Sequence, residues 1–190
     1  MIAAVVLAAG AGARLGRNKA LCTLPSGETF LEAICSQLAA ARSFPIVVVT
    51  AAPHGEAIRQ TMAPQLCSAI NPHPERGMLS SVKVGVAALP NEVSGALVWP
   101  VDTPLVRSDT VRAIVAASDQ NIVVPEWGGR GGHPIFLPRG RFAELLELDD
   151  TLSLKALMPD RDAVFRIKVD DESVLWDVDL PADLARIGGG

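Results

Sequence analysis

Cysteine is scarce in this chain of 190 residues, and its three copies form no usable pattern. Cys22, Cys35 and Cys67 are an odd number and lie far apart along the chain. Their spacing excludes the paired arrangement of a zinc site and the framework of a disulfide-rich domain. A reducing cytoplasm is therefore the expected location.

An excess of positive charge is also missing. Lysine and arginine number 17 against 21 acidic residues, which gives a net charge of −4. General binding to nucleic acid or to anionic membranes needs a broad basic surface, so both partner classes are excluded. The N-terminus is apolar but has no basic residue before Arg14. It does not resemble a signal peptide and is too short to span a bilayer.

The remaining composition, 49% hydrophobic and 20% charged, is that of a globular protein. We see no internal repeat and no linker, and we expect residues 1–190 to form a single domain. Apolar, β-branched runs alternate with segments of helical periodicity, which predicts a three-layer α/β/α, Rossmann-like, mostly parallel sheet. Strands are predicted at 2–6, 46–50, 68–70, 95–99, 122–125, 134–138 and 164–169, one of the last two antiparallel. Helices are predicted at 29–42, 53–62, 78–89 and from a cap at Ser108 or Asp109 to Ser118.

A glycine-rich loop follows the first predicted strand. Positions 7–19 read Leu-Ala-Ala-Gly-Ala-Gly-Ala-Arg-Leu-Gly-Arg-Asn-Lys. Glycine at positions 10, 12 and 16 lets the backbone turn tightly and bring bare N–H groups close to a polyanion. Arg14, Arg17 and Lys19 add cationic groups suited to phosphate oxygens. The loop therefore predicts binding of a nucleoside triphosphate.

Three familiar glycine loops fail to match this spacing. The dinucleotide-binding fingerprint requires glycine at position 15, where the chain has Leu15, and the kinase loop fails at the same residue. The P-loop requires Gly-Lys-Ser/Thr, but Gly16 is followed by Arg17 and Asn18.

The loop instead resembles the opening signature of the MobA-like nucleotidyltransferase family, and within it the molybdenum cofactor cytidylyltransferases. Further segments agree in order: Asn-Pro at 71–72, Gly-Met-Leu-Ser-Ser at 77–81, Pro-Val-Asp-Thr-Pro at 100–104, Gly-Gly-His-Pro at 131–134 and Asp-Val-Asp-Leu-Pro-Ala-Asp-Leu at 177–184. The resemblance implies a fold of the nucleotide-diphospho-sugar transferase type and transfer of a nucleoside monophosphate with release of pyrophosphate.

The resemblance also implies the site residues. Catalytic roles fall to Arg14, Lys19 and Asp102, and acceptor binding to Gly132 and His133. The nucleotide would contact Leu7, Ala8, Ala9, Gly10, Gly12, Arg14, Gly16, Lys19, Ser80 and Ser81. The two serines have an equally good explanation as residues of a helix start. Ala9 favours CTP over GTP, because the guanylyltransferases carry glycine there.

Two aspartates are the candidate ligands of a magnesium ion. Asp102 follows a buried strand and stands near two prolines that restrict the backbone. Mg²⁺ needs only one or two carboxylates besides substrate phosphates and water. The resemblance assigns the second ligand to Asp179, although alternation in an extended segment puts Asp177 on the same face, opposite Trp176 and Val178. Trp99, Trp127 and Trp176 are expected to pack in the core or at its rim.

The acceptor that the resemblance implies is molybdopterin, with a client molybdoenzyme or chaperone as a further partner. One departure leaves alternatives open: cytidylyltransferases of this branch carry Gly-Asp-Gln-Pro where this chain has Val-Asp-Thr-Pro. A guanylyltransferase and a sugar-phosphate nucleotidyltransferase are the enzymatic alternatives. A nucleotide-binding regulatory module is the alternative without turnover.

Overall fold

Eight strands form one sheet in the computed structural model, which describes residues 1–10, 18–158, 164–178 and 183. The strands are β1 (Ile2–Leu7), β2 (Ile46–Thr50), β3 (Cys67–Ile70), β4 (Gly95–Pro100), β5 (Ile122–Trp127), β6 (Arg130–Gly131), β7 (Ile135–Pro138) and β8 (Val164–Lys168). Their order is β3-β2-β1-β4-β7-β5-β6, with β8 also paired to β5. Strands β6 and β7 pair antiparallel with their neighbours, and the other pairs are parallel.

Five α-helices connect the strands in the described part of the chain. They are α1 (Phe30–Ala40), α2 (Gly55–Thr61), α3 (Met78–Ala87), α4 (Ser108–Ala117) and α5 (Phe142–Glu147). Short 3-10 helices lie at Lys19–Leu21, Pro74–Arg76, Arg139–Arg141, Leu154–Leu157 and Glu172–Leu175. Helix α1 begins with a capping box, in which Thr29 and Glu32 exchange hydrogen bonds between side chain and backbone.

The core has two halves, one on each face of the sheet. Alternate residues of β1 separate them: Ala4 and Val6 belong to one half, Ala3 and Val5 to the other. Buried side chains of α1, α2 and α4 complete the first half, and those of α3 and α5 complete the second. The predicted three-layer, mostly parallel α/β/α fold is confirmed.

The predicted cap of α4 was wrong. Ser108 is the first helical residue, and the N-cap position belongs to Arg107, whose side chain makes no capping hydrogen bond. The carboxylate of Asp171 lies at this helix start instead, where it accepts hydrogen bonds from the Arg107 backbone N–H at 3.0 Å and the Thr110 hydroxyl at 2.7 Å. A group distant in sequence thus takes the place of a local cap.

Adjacent strands β1 and β4 bring two loops to one edge of the sheet. The strands pair in parallel, with Leu7 opposite Pro100 at their carboxyl ends. The Val101 N–H then donates to the Leu7 carbonyl at 3.1 Å. Ligands of open α/β sheets bind beyond the carboxyl ends of the strands, so this edge is the candidate site.

Candidate nucleotide-binding site

The glycine loop leaves β1 with its backbone fixed by the sheet. The Ala8 N–H donates to the Val49 carbonyl at 2.8 Å, and both Ala8 and Ala9 are buried. Gly10 is exposed, and a Cβ added to it would meet no atom within 4 Å. Of the predicted loop residues, Gly12, Arg14 and Gly16 lie outside the described residues, so their roles stay predictions.

Asn18 joins the two ends of the glycine loop. Its side-chain amide donates to the carbonyls of Ala8 at 3.3 Å and Gly10 at 3.0 Å. Its Oδ1 accepts the Ala20 N–H at 2.9 Å and so caps the short helix that begins at Lys19. Sequence reasoning missed this buried asparagine, although asparagine is a preferred N-cap residue. Asn18 fixes the backbone from which the Lys19 side chain extends.

Lys19 and Asp102 meet across the two loops. The Lys19 Nζ lies 3.2 Å from Asp102 Oδ2, and the two side chains are 17% and 26% exposed. An ion pair that keeps this much contact with water adds only about 0–1 kcal/mol to stability. The structure thus brings together two of the predicted catalytic residues, in a place where a ligand can still reach both.

Thr103, which stands where the resembling cytidylyltransferases carry glutamine, is fully buried. Its hydroxyl donates to the Pro100 carbonyl at 3.1 Å, and its own carbonyl accepts the indole N–H of Trp99 at 3.0 Å. Thr103 therefore shapes the turn that presents Asp102. Trp99 packs in the core, as expected.

A second segment reaches Asp102 from the C-terminal part of the chain. The Val178 N–H donates to the Asp102 carbonyl at 2.8 Å, and the Val178 side chain is buried. Asp179, the predicted second metal ligand, follows directly but lies outside the described residues. Trp176 is 43% exposed, which agrees with its expected place at the rim of the core. The predicted shared face of Asp177 and Asp179 stays a prediction. Trp176 ends a 3-10 helix and is not part of a strand.

Asp171 anchors the start of this segment. Its carboxylate accepts hydrogen bonds from the Ser173 hydroxyl and backbone N–H, as well as from Thr110 and Arg107. Burial raises the pKa of Asp171, but these hydrogen bonds outweigh it and hold the pKa below its ordinary value. Sequence reasoning missed Asp171, because its partners at the start of α4, Arg107 and Thr110, lie more than 60 residues away and no local pattern marks them.

The loop with Gly132 and His133 packs against the same segment. The His133 N–H donates to the Val174 carbonyl at 2.9 Å. A Cβ added to Gly132 would lie 2.2 Å from that carbonyl oxygen, so only glycine allows this close approach. The two predicted acceptor residues therefore lie against the segment that runs to Val178, whose N–H donates to the Asp102 carbonyl.

The His133 imidazole is largely buried, and its Nδ1 has no hydrogen-bond partner among the residues that the structure describes. Burial lowers the pKa of His133, while the nearby charge of Asp102 raises it and that of Lys155 lowers it further. Burial thus favours the neutral form of the His133 ring.

Ser80 and Ser81 lie within the first turn of α3, whose N-cap is Gly77. Asn71 donates to both hydroxyls, at 2.8 and 2.9 Å, and Ser80 donates in turn to the Gly77 carbonyl at 2.8 Å. These bonds join the end of β3 to the start of α3. Contact of the two serines with a nucleobase stays a prediction.

Within the described ranges, no group of three or more His, Cys, Asp or Glu side chains is placed to hold a metal ion. The donor set at the site, the Asp102 carboxylate, still fits Mg²⁺, which takes few protein ligands when phosphates and water supply the rest. None of the helices in the described residues is long and apolar enough to cross a membrane.

Comparison with known proteins identifies relatives over most of the chain. The family model described as "MobA-like NTP transferase domain" matches residues 4–164. A "2-C-methyl-D-erythritol 4-phosphate cytidylyltransferase" of Streptomyces avermitilis is 36% identical over 129 residues, which cover 60% of this chain and 48% of that protein. The match thus spans about half the length of that relative.

Other relatives match along more than 90% of their length. A "Probable molybdenum cofactor guanylyltransferase" of Mycobacterium marinum is 26% identical over 96% of this chain and 91% of its own. The crystal structure of Mycobacterium tuberculosis Rv0371c superposes with a TM-score of 0.83 at 27% identity, covering 100% of this chain and 99% of that one. A second structure of Rv0371c, in complex with manganese, has a TM-score of 0.81 at 25% identity and covers 98% and 97%.

Proposed function

The chain belongs to the family of MobA-like NTP transferase domains, and on this premise we propose that it transfers a nucleoside monophosphate to a phosphorylated small molecule and releases pyrophosphate. In this proposal residues 1–190 act as one nucleotidyltransferase domain. The observation that carries the proposal is the meeting of Lys19 and Asp102 at 3.2 Å, beyond the carboxyl ends of two adjacent parallel strands.

Lys19 and the backbone N–H groups of the glycine loop would bind the β- and γ-phosphates. They would hold the negative charge that develops on the departing pyrophosphate, which is where fixed donors accelerate a reaction most. Arg14, Gly12 and Gly16 complete this cradle in the proposal. Leu7, Ala8, Ala9 and Gly10 supply the strand end on which it is built.

The acceptor's terminal phosphate oxygen would attack the α-phosphorus in line. A new P–O bond forms, the bond between the α-phosphorus and the bridging oxygen breaks, and pyrophosphate leaves with that electron pair. The attacking phosphate is ionised at neutral pH, so the step needs no general base. Gly132 and His133 would position the acceptor from the side of the segment that ends at Val178.

Asp102 and Asp179 would hold Mg²⁺, whose positive charge neutralises charge on the phosphates when it is bound. Support comes from the donor chemistry at Asp102 and from the manganese complex of the similar Mycobacterium tuberculosis protein. Asp102 and Lys19 are close enough for Lys19 to limit the excess negative charge at the site before the nucleotide arrives.

CTP is the proposed nucleotide, because this chain has Ala9 at a position where the resembling guanylyltransferases carry glycine. Ser80 and Ser81 are the proposed base-side residues. GTP is the second candidate, since the relatives that match the whole chain include a molybdenum cofactor guanylyltransferase. Molybdopterin is the proposed acceptor in both cases, and a molybdoenzyme or its chaperone would receive the product.

Pyrophosphate release tests the proposal directly. The purified chain is incubated with Mg²⁺ and each of CTP, GTP, ATP and UTP, with molybdopterin, methylerythritol phosphate or a sugar 1-phosphate as acceptor. We expect release with CTP and molybdopterin. Release with GTP and molybdopterin alone would refute the base assignment, and release with a sugar phosphate alone would refute the acceptor. Tight nucleotide binding without release in any combination would indicate a regulatory module.

A further inference from the structure

Strand β8 forms an open edge of the sheet. Val123 of β5 pairs with Phe136 of β7 and, on its other side, with Phe165 of β8. Strand β8 therefore lies beyond β5, on the side away from β7. Within the described ranges β8 pairs with no strand other than β5. Its outer side thus presents backbone donors and acceptors to a further strand.

A single hydrogen bond fixes which backbone groups of β8 point outward. The Val169 N–H donates to the Glu126 carbonyl at 3.0 Å, so the Val169 backbone is directed toward β5. Along a strand, residues two apart direct their backbone groups to the same side and the residues between them to the other side. The N–H and C=O groups of Arg166 and Lys168 therefore point away from β5.

The two faces of β8 differ in character. Phe165, Ile167 and Val169 lie on the face of the first core half, where Phe165 keeps 52% of its surface exposed. Arg166 and Lys168 lie on the opposite face by alternation, and Lys168 is exposed. A strand added to this edge meets an apolar row on one face and a cationic row on the other.

The Arg166 guanidinium has bonding capacity for an added acceptor. It lies 3.6 Å from the Glu126 carboxylate, beyond hydrogen-bond range, and the Arg166 side chain is 32% exposed. Its Nε has no hydrogen-bond partner among the residues that the structure describes. Lys168 is paired with Glu126 and lies on the same face. Among the described side chains of β5 and β8 on this face, one carboxylate thus meets two cations, and an acidic strand matches the face in charge.

A second copy of the chain does not suit this edge. Antiparallel pairing about a two-fold axis in full register puts Arg166 opposite its own copy, and an axis at Ile167 puts Arg166 opposite Lys168. Like charges directly opposite each other destabilise a strand pair, and lysine on an edge strand commonly prevents such pairing. The same two cations attract a strand of opposite charge.

We propose that β8 binds an extended segment of a partner protein as a further antiparallel strand, in which acidic and apolar residues alternate. The residues opposite Arg166 and Lys168 exchange backbone hydrogen bonds with them and lie on their face, so these positions are acidic. The residues opposite Phe165 and Ile167 lie on the other face and are apolar. In strand addition of this kind the backbone bonds give affinity, and the alternating side chains give specificity.

Synthetic peptides test the proposal. The probe is a capped peptide of about eight residues in which Glu and Val alternate, and fluorescence anisotropy measures its Kd for the full chain. A peptide with Lys in place of Glu is the charge control. Two further peptides carry N-methyl groups on every Glu or on every Val, because only the N–H groups of residues opposite Arg166 and Lys168 face β8.

Two variants change the two faces of the edge, Phe165→Ser and Lys168→Glu. Their matched controls are Ile70→Ser, at an exposed apolar residue of the opposite edge strand β3, and Arg59→Glu, at an exposed cation of α2. Circular dichroism checks that each variant is folded, and sedimentation measures self-association of the chain.

We expect the Glu-Val peptide to bind, and the Lys-Val peptide to bind at least about tenfold more weakly. Lys168→Glu should raise the Kd of the Glu-Val peptide about tenfold and Phe165→Ser about fivefold, while both control variants should match the wild type. N-methylation of Glu should abolish binding, and N-methylation of Val should leave the Kd unchanged.

Equal loss from both N-methylated peptides would overturn the proposal, as would an unchanged Kd in Phe165→Ser and Lys168→Glu. Failure of the Glu-Val peptide to bind the wild type would also overturn it, and would leave Lys168 as a protection of the edge only. A chain that sediments as a dimer and becomes a monomer in Phe165→Ser would place a second copy on β8 and refute the proposal.

Discussion

Replacement of Gly132 by alanine tests how the acceptor side of the site is held together. The added methyl group would lie 2.2 Å from the Val174 carbonyl oxygen, where ordinary contact begins at 3.4 Å. The two backbones must therefore separate by about 1 Å, since neither atom belongs to a flexible side chain. That separation also stretches the hydrogen bond from the His133 N–H to Val174.

The cost of this change follows from the contacts. Overpacking of this kind costs about 1–3 kcal/mol, and the weakened backbone hydrogen bond adds about 0.5–1.5 kcal/mol. We expect a loss of about 2–3 kcal/mol in the free energy of unfolding of Gly132→Ala, measured in urea. The displaced segment continues to Val178, which bonds to the Asp102 carbonyl. A shift of about 1 Å at a reacting centre lowers kcat/KM for pyrophosphate release by about 100-fold.

Gly140→Ala is the matched control, because a Cβ there meets no atom within 4 Å. Its stability and turnover should equal those of the wild type. The Kd of CTP should be the same in all three proteins, because in the proposal Gly132 positions the acceptor and not the nucleotide. If Gly132→Ala kept wild-type stability and kcat/KM, the close approach to Val174 would not hold the site, and the reasoning would be wrong.

Three further changes have expected outcomes. Lys19→Ala removes a charged phosphate donor and should weaken CTP binding about tenfold or more, measured by calorimetry; an unchanged Kd would remove Lys19 from the phosphate site. Asp171→Asn should lose about 1–3 kcal/mol of stability at pH 7. Because hydrogen bonds hold the pKa of Asp171 below its unfolded value, the wild type loses this advantage as the pH falls below about 4, so urea unfolding at pH 3 should show a smaller gap; a gap of equal size would contradict the account. Iodoacetamide at pH 8 should label exposed Cys67 well before Cys35, whose pKa burial and the nearby Glu32 charge raise to about 11, and equal rates would contradict this.

Much of the fold could be predicted from the sequence, because its central strands β1, β2 and β4 are short apolar runs buried on both faces. The predicted strand 46–50 coincides with Ile46–Thr50, and the predicted helix at 29–42 contains α1. The meeting of Lys19 and Asp102 could be predicted as well, since both follow strands of a parallel sheet. Helix α5 was not predicted, because it has only six residues and too little periodicity to detect.

The polar supports of the site could not be predicted. Asn18 acts through the carbonyls of Ala8 and Gly10, and Asp171 through residues of a distant helix start. Single polar residues in loops carry no periodic signal, so their partners become visible only when the chain is folded.

The rate of pyrophosphate release by Asp102→Asn is the most direct test of the central claim, that Lys19 and Asp102 form the reacting site. The substitution keeps the shape of the side chain and removes its charge. With CTP, Mg²⁺ and molybdopterin, the wild type should release pyrophosphate, and the variant should be at least about 100-fold slower while its circular dichroism and unfolding midpoint are unchanged. A folded variant that releases pyrophosphate at the wild-type rate would contradict the account.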